Sequence, residues 1–168
     1  MESDFLPPDS AATGRWVVVA DGARARIFET HHHAPGLRPV LPYELTINRL
    51  RDHERWSDRA GASRDRVGPV VHSKAASTDP SEHEHEQLAR EVAEVLQHGR
   101  TVQRVDAIVL VAAPRFLGRL RHALDPQTRA LVTAEDDRDL SRLPEHELEG
   151  RIPAEAWPTG EPPPRRVT

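Results

Sequence analysis

One acidic residue stands where a carboxylate could do chemistry. Asp21 follows the apolar run Trp16 to Ala20 and precedes Gly22. At the end of a strand, such a carboxylate could act in catalysis or bind a metal ion. An Asp-Gly pair between two β-rich runs is also a strong hairpin signal, because both residues tolerate the positive φ of a tight primed turn. We interpret Asp21 as a turn residue and keep it as a candidate acidic site.

The other metal-ligand patterns are weak. The 168 residues include no cysteine, which excludes a disulfide framework and a cysteine-based zinc site. His31, His32 and His33 are adjacent, and three neighbouring residues of an extended loop cannot all face one metal ion. The run from His83 to Glu86 lacks the H-E-x-x-H spacing of a zinc-protease helix. The sequence therefore predicts neither a designed metal site nor a cofactor.

A basic cluster lies where a buried strand leads into a helix. The segment Val105 to Leu124 opens with a near-continuous apolar run, and Pro114 then suits the first turn of a helix. Helical periodicity places three basic residues opposite the apolar face: Arg115, Arg119 and His122. Because a helix N-terminus that follows a strand favours anions, we predict that these residues bind phosphate. The alternative is the solvated face of a surface helix.

A second basic region is the segment from Asn48 to Thr78. It has no clean periodicity and is too long for an ordinary connection, which usually marks a functional loop. Basic residues recur through it beside Trp56, and the predicted phosphate- or RNA-binding residues are Arg55, Arg59, Arg64 and Arg66. Such interleaving suits structured or single-stranded RNA, where stacking and phosphate contacts combine. The alternative is a self-neutralising surface loop, since acidic residues alternate with the basic ones.

An α/β domain is expected to position these residues. Hydrophobic periodicity predicts five strands, at residues 16–20, 24–29, 37–47, 105–111 and 129–134. The predicted helices lie at residues 79–97, with Gly99 as the stop, 114–124 and 139–151. The expected fold is a single domain with a mixed five-stranded sheet, an antiparallel β-β-β meander followed by α-β-α-β-α. This is the arrangement of ribonuclease H-like domains.

The domain boundaries follow from composition. Residues 1–14 read as a flexible N-terminal lead, residues 15–152 as the α/β domain with its long loop at 48–78, and residues 153–168 as a Pro-rich tail. No basic and apolar leader opens the chain and no apolar run approaches 18 residues, so we expect a cytoplasmic protein without a membrane span. The net charge of −4 means that any nucleic-acid contact must use a local patch.

Five segments carry a family resemblance: WVVVADGARARIFE, SDRAG, LAREVAEVL, LVAAPRFLGRLRHAL and RDLSRLPEHEL. Together they resemble, over about Arg15 to Ile152, the bacterial host-attachment family, described as proteins required for attachment to host cells. That family is similar to the central domain of archaeal and eukaryotic peptide-release factors, which implies a release-factor-like fold. The sequence departs from the family pattern at two positions, and both departures affect packing. Ala113 stands where the family commonly has proline, and Leu88 stands where phenylalanine is usual.

The resemblance does not imply peptide release or nuclease activity. Release factors place a Gly-Gly-Gln tripeptide in the loop that here reads Arg59-Ala60-Gly61-Ala62-Ser63. A two-metal nuclease needs several converging carboxylates, and the end of the fourth predicted strand reads Val111-Ala112-Ala113 where an aspartate would be required. We therefore favour a non-catalytic binding protein associated with the ribosome or structured RNA. The alternatives are a protein-interaction or attachment factor that binds a protein partner, and a metal-dependent nuclease or hydrolase using Asp21.

Overall fold

A computed structural model of the protein describes residues 14–31, 34–48 and 80–158. Within these ranges the chain forms one open mixed sheet with helices packed against it. Its strands are β1 (Gly14–Ala20), β2 (Arg24–His31), β3 (Ala34–Pro39), β4 (Leu45–Thr46), β5 (Val105–Ala112) and β6 (Val132–Asp136). The helices are α1 (Pro80–Thr101), α2 (Pro114–Ala123), α3 (Pro126–Arg129) and α4 (Glu145–Leu148), followed by a 3₁₀ turn at Ala154–Ala156.

The strand order confirms the expected α/β class and the mixed sheet in a single domain. The path is β3-β2-β1-β5-β6, and β4 pairs with β2 beyond the end of β3. The first three strands form the predicted antiparallel meander, while β5 and β6 run parallel to β1. The predicted third strand is in fact two short strands, β3 and β4. Pro39 and Pro42 interrupt it, because proline has no N–H to donate to a ladder.

The sheet is covered on both faces, which explains the apolar runs of β1 and β5. Trp16 and Val18 of β1 face α1 and α2, together with Leu96 and Phe116 from those helices. Val17 of β1 faces the opposite side. Because side chains alternate along a strand, neighbouring residues of β1 belong to different cores.

The second face of the sheet is covered by the last part of the described chain. Leu140 and Leu148 pack there with Trp157, which is 4% exposed. Arg26 of β2 fixes this segment by donating from Nη2 to the carbonyl oxygens of Ser141 at 2.8 Å and Leu143 at 2.6 Å. The packed chain therefore extends beyond residue 152, into the stretch that the sequence assigned to a Pro-rich tail.

The hairpin between β1 and β2 is confirmed, but the predicted primed turn is wrong. The central turn residues are Gly22 and Ala23, since the Asp21 N–H donates to the Arg24 carbonyl at 2.9 Å. Neither central residue has a positive φ. The Asp21 carboxylate instead accepts the N–H groups of Ala23 and Arg24, so a side chain closes the turn without a left-handed residue.

Helix α1 passes through its predicted stop. Gly99 lies inside the helix against the Trp16 ring, and a Cβ built on it would lie 2.3 Å from Trp16 Cη2. The helix ends at Thr101, and Gln103, two residues further on, has a left-handed φ of 57°. The Arg104 N–H donates to the Gly99 carbonyl at 2.9 Å and the Gln103 N–H to the Arg100 carbonyl at 3.0 Å, which is a Schellman cap. The glycine is therefore required by packing and not by the helix end.

Local signals shift three further elements. Asp125 caps the unpredicted helix α3 by accepting the N–H groups of Gln127 and Thr128, each at 3.0 Å, so β6 begins at Val132 and not at residue 129. The predicted helix over residues 139–151 is confined to α4, because Pro144 is at its N-cap.

In the described ranges, no helix has the length and apolarity needed to cross a bilayer.

Candidate functional site

Parallel pairing brings three strand ends to one edge of the sheet. Asp21 follows β1, Ala113 follows β5, and Asp136 ends β6. The Ala113 N–H donates to the Ala20 carbonyl at 3.3 Å, which joins the start of α2 to the end of β1. Ligands of open α/β sheets commonly bind outside the carboxyl ends of the strands, so this edge is the candidate site.

The Asp21 carboxylate is occupied by bonds within the protein. Its Oδ1 accepts the N–H of Ala23 at 2.7 Å and that of Arg24 at 2.9 Å, and its Oδ2 accepts the Ser141 hydroxyl at 2.6 Å. Asp21 is 8% exposed and Ser141 is 1% exposed. Asp21 therefore joins the β1–β2 turn to the segment that covers the second face of the sheet.

These bonds also determine the charge state of Asp21. Burial by itself would raise the pKa of the Asp21 carboxyl, but the hydrogen bonds from Ser141, Ala23 and Arg24 and the positive charge of Arg24 outweigh it. The net effect holds the pKa of Asp21 below its ordinary value. A general acid at neutral pH needs a raised pKa, so this environment favours a permanently ionised structural carboxylate.

The neighbouring acids at this edge are engaged in the same way. Asp136 accepts from the Arg138 guanidinium, with Nε 2.9 Å from both carboxylate oxygens, and this contact lowers the pKa of Asp136. Asp139 Oδ1 accepts the Ser141 N–H at 3.1 Å and lies 2.7 Å from the Ser141 hydroxyl oxygen, whose single proton is shared between Asp21 and Asp139. Across residues 14–31, 34–48 and 80–158, no three histidine, aspartate or glutamate side chains are grouped closely enough to hold a metal ion.

The N-terminus of α2 has the features expected for an anion site. No side chain caps it, and its first turn contains no acidic residue. The first backbone bond runs from the Leu117 N–H to the Ala113 carbonyl at 2.9 Å, so the N–H groups of Arg115 and Phe116 lie ahead of it. Arg115 is exposed at this turn, while Phe116 is buried in the core. Backbone donors, the helix dipole and one guanidinium therefore coincide there.

The other predicted basic residues of α2 have different environments. Arg119 is partly buried and forms an ion pair with Glu82 in the first turn of α1, which neutralises its charge within the protein. His122 is exposed. Asp21 lies at the same edge of the sheet, but its carboxylate bonds to Ser141 in the segment that covers the second face, whereas α2 packs on the first face. The candidate acidic site and the candidate phosphate site therefore use different packing partners.

The predicted residues of the long basic loop lie outside the described ranges. They are Arg55, Arg59, Arg64 and Arg66. Their contact with phosphate or RNA stays a prediction from composition.

Sequence reasoning missed two residues that shape this edge. His85 belongs to the run that lacks metal-ligand spacing, but its ring lies against the β1–β2 turn, since a Cβ at Gly22 would lie 2.9 Å from His85 Nε2. Ser141 was not singled out, although it joins two carboxylates. Gly22 was a usable signal, because a glycine in a turn can mark a place where another side chain, here His85, packs closely. No local sequence feature marks Ser141, which bonds to a residue far away in the chain.

The sequence matches the model of a known protein family. A family model described as "protein required for attachment to host cells" matches residues 16–152, which is most of the chain. A search of the curated proteins finds no match.

Proposed function

Since the chain belongs to the family described as proteins required for attachment to host cells, we propose that it serves that process as a non-catalytic binding protein. Its proposed ligand is the phosphate backbone of ribosomal or other structured RNA. Two features at the carboxyl edge of the sheet support this role. They are the N-terminus of α2 and the Asp21 carboxylate.

The observation that carries the proposal is the uncapped N-terminus of α2 with Arg115 exposed beside it. A phosphate oxygen at this turn would accept from backbone N–H groups and from a guanidinium, which is the usual combination in phosphate recognition. Asp21 supports the non-catalytic part, since its carboxylate accepts three bonds from the chain itself.

The proposed interface has a graded set of contacts. Arg115 is the primary phosphate contact and His122 an exposed neighbour on the same helix. Arg119 would contact phosphate only after its ion pair with Glu82 breaks. The basic residues of the 48–78 loop would add phosphate contacts, as their composition predicts.

A relation to ribonuclease H-like domains and to release-factor central domains is part of the same proposal. The antiparallel meander followed by parallel β-α units supports it. Fold similarity supplies no activity by itself, so the proposed function depends on the α2 site and not on that relation.

The test is co-sedimentation of the full-length protein with ribosomes across a salt series. Arg115→Ala is compared with Arg129→Ala, which removes an exposed arginine near the start of β6, at the opposite edge of the sheet. Each lost phosphate contact should reduce the slope of log affinity against log salt by about 0.7–0.9. We expect this loss for Arg115→Ala and an unchanged slope for Arg129→Ala.

Two outcomes would contradict the proposal. Wild-type protein that stays at the top of the gradient at low salt would exclude ribosome association and direct attention to a protein partner. Equal losses for both arginine variants would show that binding follows net charge and not the α2 site.

A further inference from the structure

A cavity separate from the carboxyl-edge site lies between α1 and the chain that links β3 to β4. It has a volume of about 390 Å³. This is within the range of sites that bind small organic molecules. None of the residues proposed to contact phosphate lines it, so the following inference is independent of the proposed function.

The walls of the cavity are apolar. Trp16 of β1 and Leu45 of β4 contribute from the sheet, Val40 and Leu41 from the link, and Val95 from α1. A ligand with an apolar surface would leave water when it contacts these side chains, and this transfer is the main source of affinity in such sites.

The protein holds these walls in place by its own contacts. The Trp16 ring packs on Gly99 of α1, where an added Cβ would lie 2.3 Å from Trp16 Cη2. The Val40 N–H donates to the Ile27 carbonyl at 2.8 Å, and Leu45 lies in β4, which pairs with β2. Because the walls are already ordered, a ligand would lose little of its binding free energy to ordering the site.

The polar residues of the lining offer a ligand no buried countercharge. Glu91 and Tyr43 each already have an interaction partner, so neither is available to a ligand. Glu94 and His98 line the cavity from α1 and are exposed to solvent. An exposed ion pair strengthens an association by about fivefold at most. An ion that entered would lose its hydration for this small return, so the lining disfavours charged ligands.

We propose that this cavity binds a small, uncharged and mostly apolar molecule, about the size of one aromatic ring with a short side chain. Its apolar body lies against Trp16, Val40 and Val95. A hydroxyl group on its side chain points toward the exposed Glu94 and His98, where it stays hydrated. Apolar, preordered walls and engaged polar groups together define this class of ligand.

The experiment is an NMR titration of the full-length protein with 2-phenylethanol, phenethylammonium and phenylacetate. The three probes share an aromatic body and differ in charge. The signals followed are the Trp16 indole N–H and the methyl groups of Val40 and Val95. We expect 2-phenylethanol to shift all of them saturably, with a Kd of about 1 mM or tighter. Both ions should bind at least about tenfold more weakly, because neither finds a buried countercharge.

Matched variants locate the site. Val95→Phe fills the cavity and should abolish the shifts, with thermal unfolding used to establish that the variant is folded. Val102→Phe makes the same change at an exposed valine outside the cavity and should leave binding unchanged. Leu41→Asn is a milder change at a half-buried wall position and should weaken binding by about threefold or more. Glu94→Gln should have no effect on the alcohol, since the ligand carries no charge.

The proposal is overturned if 2-phenylethanol fails to saturate the signals by about 10 mM, or if either ion binds as tightly as the alcohol. It is overturned equally if Glu94→Gln weakens alcohol binding as much as Leu41→Asn does. Binding that survives in folded Val95→Phe, or that Val102→Phe also abolishes, would place the ligand elsewhere and would reject it too.

Discussion

Replacing Asp21 by alanine or asparagine separates its structural role from a catalytic one. Alanine removes both carboxylate oxygens, so the N–H groups of Ala23 and Arg24 lose their acceptor. Ser141 keeps a partner in either variant, because its hydroxyl also lies 2.7 Å from Asp139 Oδ1. Asparagine keeps an oxygen for the turn, and its amide can donate to the Ser141 oxygen while that hydroxyl donates to Asp139.

The expected costs follow from this difference. A hydrogen bond to a charged group contributes about 1.5–3 kcal/mol, and the loss of two such bonds in a partly open turn should cost about 3 kcal/mol in Asp21→Ala. For a chain of this size that corresponds to a melting temperature lower by about 6–12 °C. Asp21→Asn exchanges a charged acceptor for a neutral one and should cost only about 1 kcal/mol.

The pH dependence gives a second measurement. Because the native pKa of Asp21 is lowered, its ionised form stabilises the fold above its ordinary pKa of about 3.9, and this contribution is lost as pH falls through the native value. Urea unfolding at pH 7 and at several values below pH 4 should therefore show the advantage of wild type over Asp21→Asn shrinking in acid. At pH 7 the wild-type protein should show its full stability advantage over Asp21→Asn.

Two results would refute this reasoning. One is an Asp21→Asn variant as unstable as Asp21→Ala, because a bonding role alone tolerates the amide. The other is a fully stable Asp21→Asn that has lost ribosome binding or some newly found hydrolytic activity, which would restore a functional role for the carboxylate.

Three further changes test the packing and the ion pair. Gly99→Ala should lower the free energy of unfolding by about 2 kcal/mol in chemical denaturation, because the added Cβ meets the Trp16 ring. Gly118→Ala is the control: its Cβ has open space, so it should be neutral or stabilising. Equal effects of the two changes would contradict the Gly99–Trp16 contact. Gln103→Gly should raise the free energy of unfolding by about 0.5–1 kcal/mol, because glycine adopts a left-handed φ without strain. A lower free energy of unfolding would contradict the Schellman cap of α1. Glu82→Gln should free Arg119 and steepen the salt dependence of ribosome binding by about one phosphate contact; an unchanged slope would exclude Arg119 from the interface.

The sequence predicts well the elements whose signals are local and continuous. β5 and α2 were predicted nearly to their observed ends, because the apolar run, Pro114 and the periodicity after it agree. The meander was also predictable from its hairpin signal. Helix α3 could have been found, since Asp125-Pro126 is an N-cap and first-turn pattern, and the same Asp-Pro pair opens the helix predicted over residues 79–97.

Two of the errors share a physical cause, which is tertiary contact overriding a local preference. Gly99 looked like a helix stop, but it is a glycine because the Trp16 ring occupies the space of a side chain. The predicted terminal helix is confined to α4, because Pro144 is at its N-cap and Arg26 of β2 holds the carbonyl oxygens of the chain before it. No local pattern predicts a partner more than a hundred residues away.

The candidate site was predictable in its residue types but not in their pairing. Arg115 and Arg119 have identical sequence signatures on one helix face. One is exposed, and the other is held by Glu82 of α1, which only the packing of two helices reveals. Charge patterning therefore finds a basic surface but overestimates how much of it is available.

The placement of residues 140–157 over the second face of the sheet has a consequence for how the protein folds. β1 is an early segment of the chain, yet it pairs with the late strand β5. Within the described ranges, the segment that covers its Val17 and Val19 is the C-terminal one. A nascent chain therefore exposes this valine surface until nearly all of the described chain has been synthesised. Such high contact order predicts slow folding and an aggregation-prone intermediate. We therefore expect that the N-terminal meander does not fold by itself and that truncation before Leu140 gives insoluble protein.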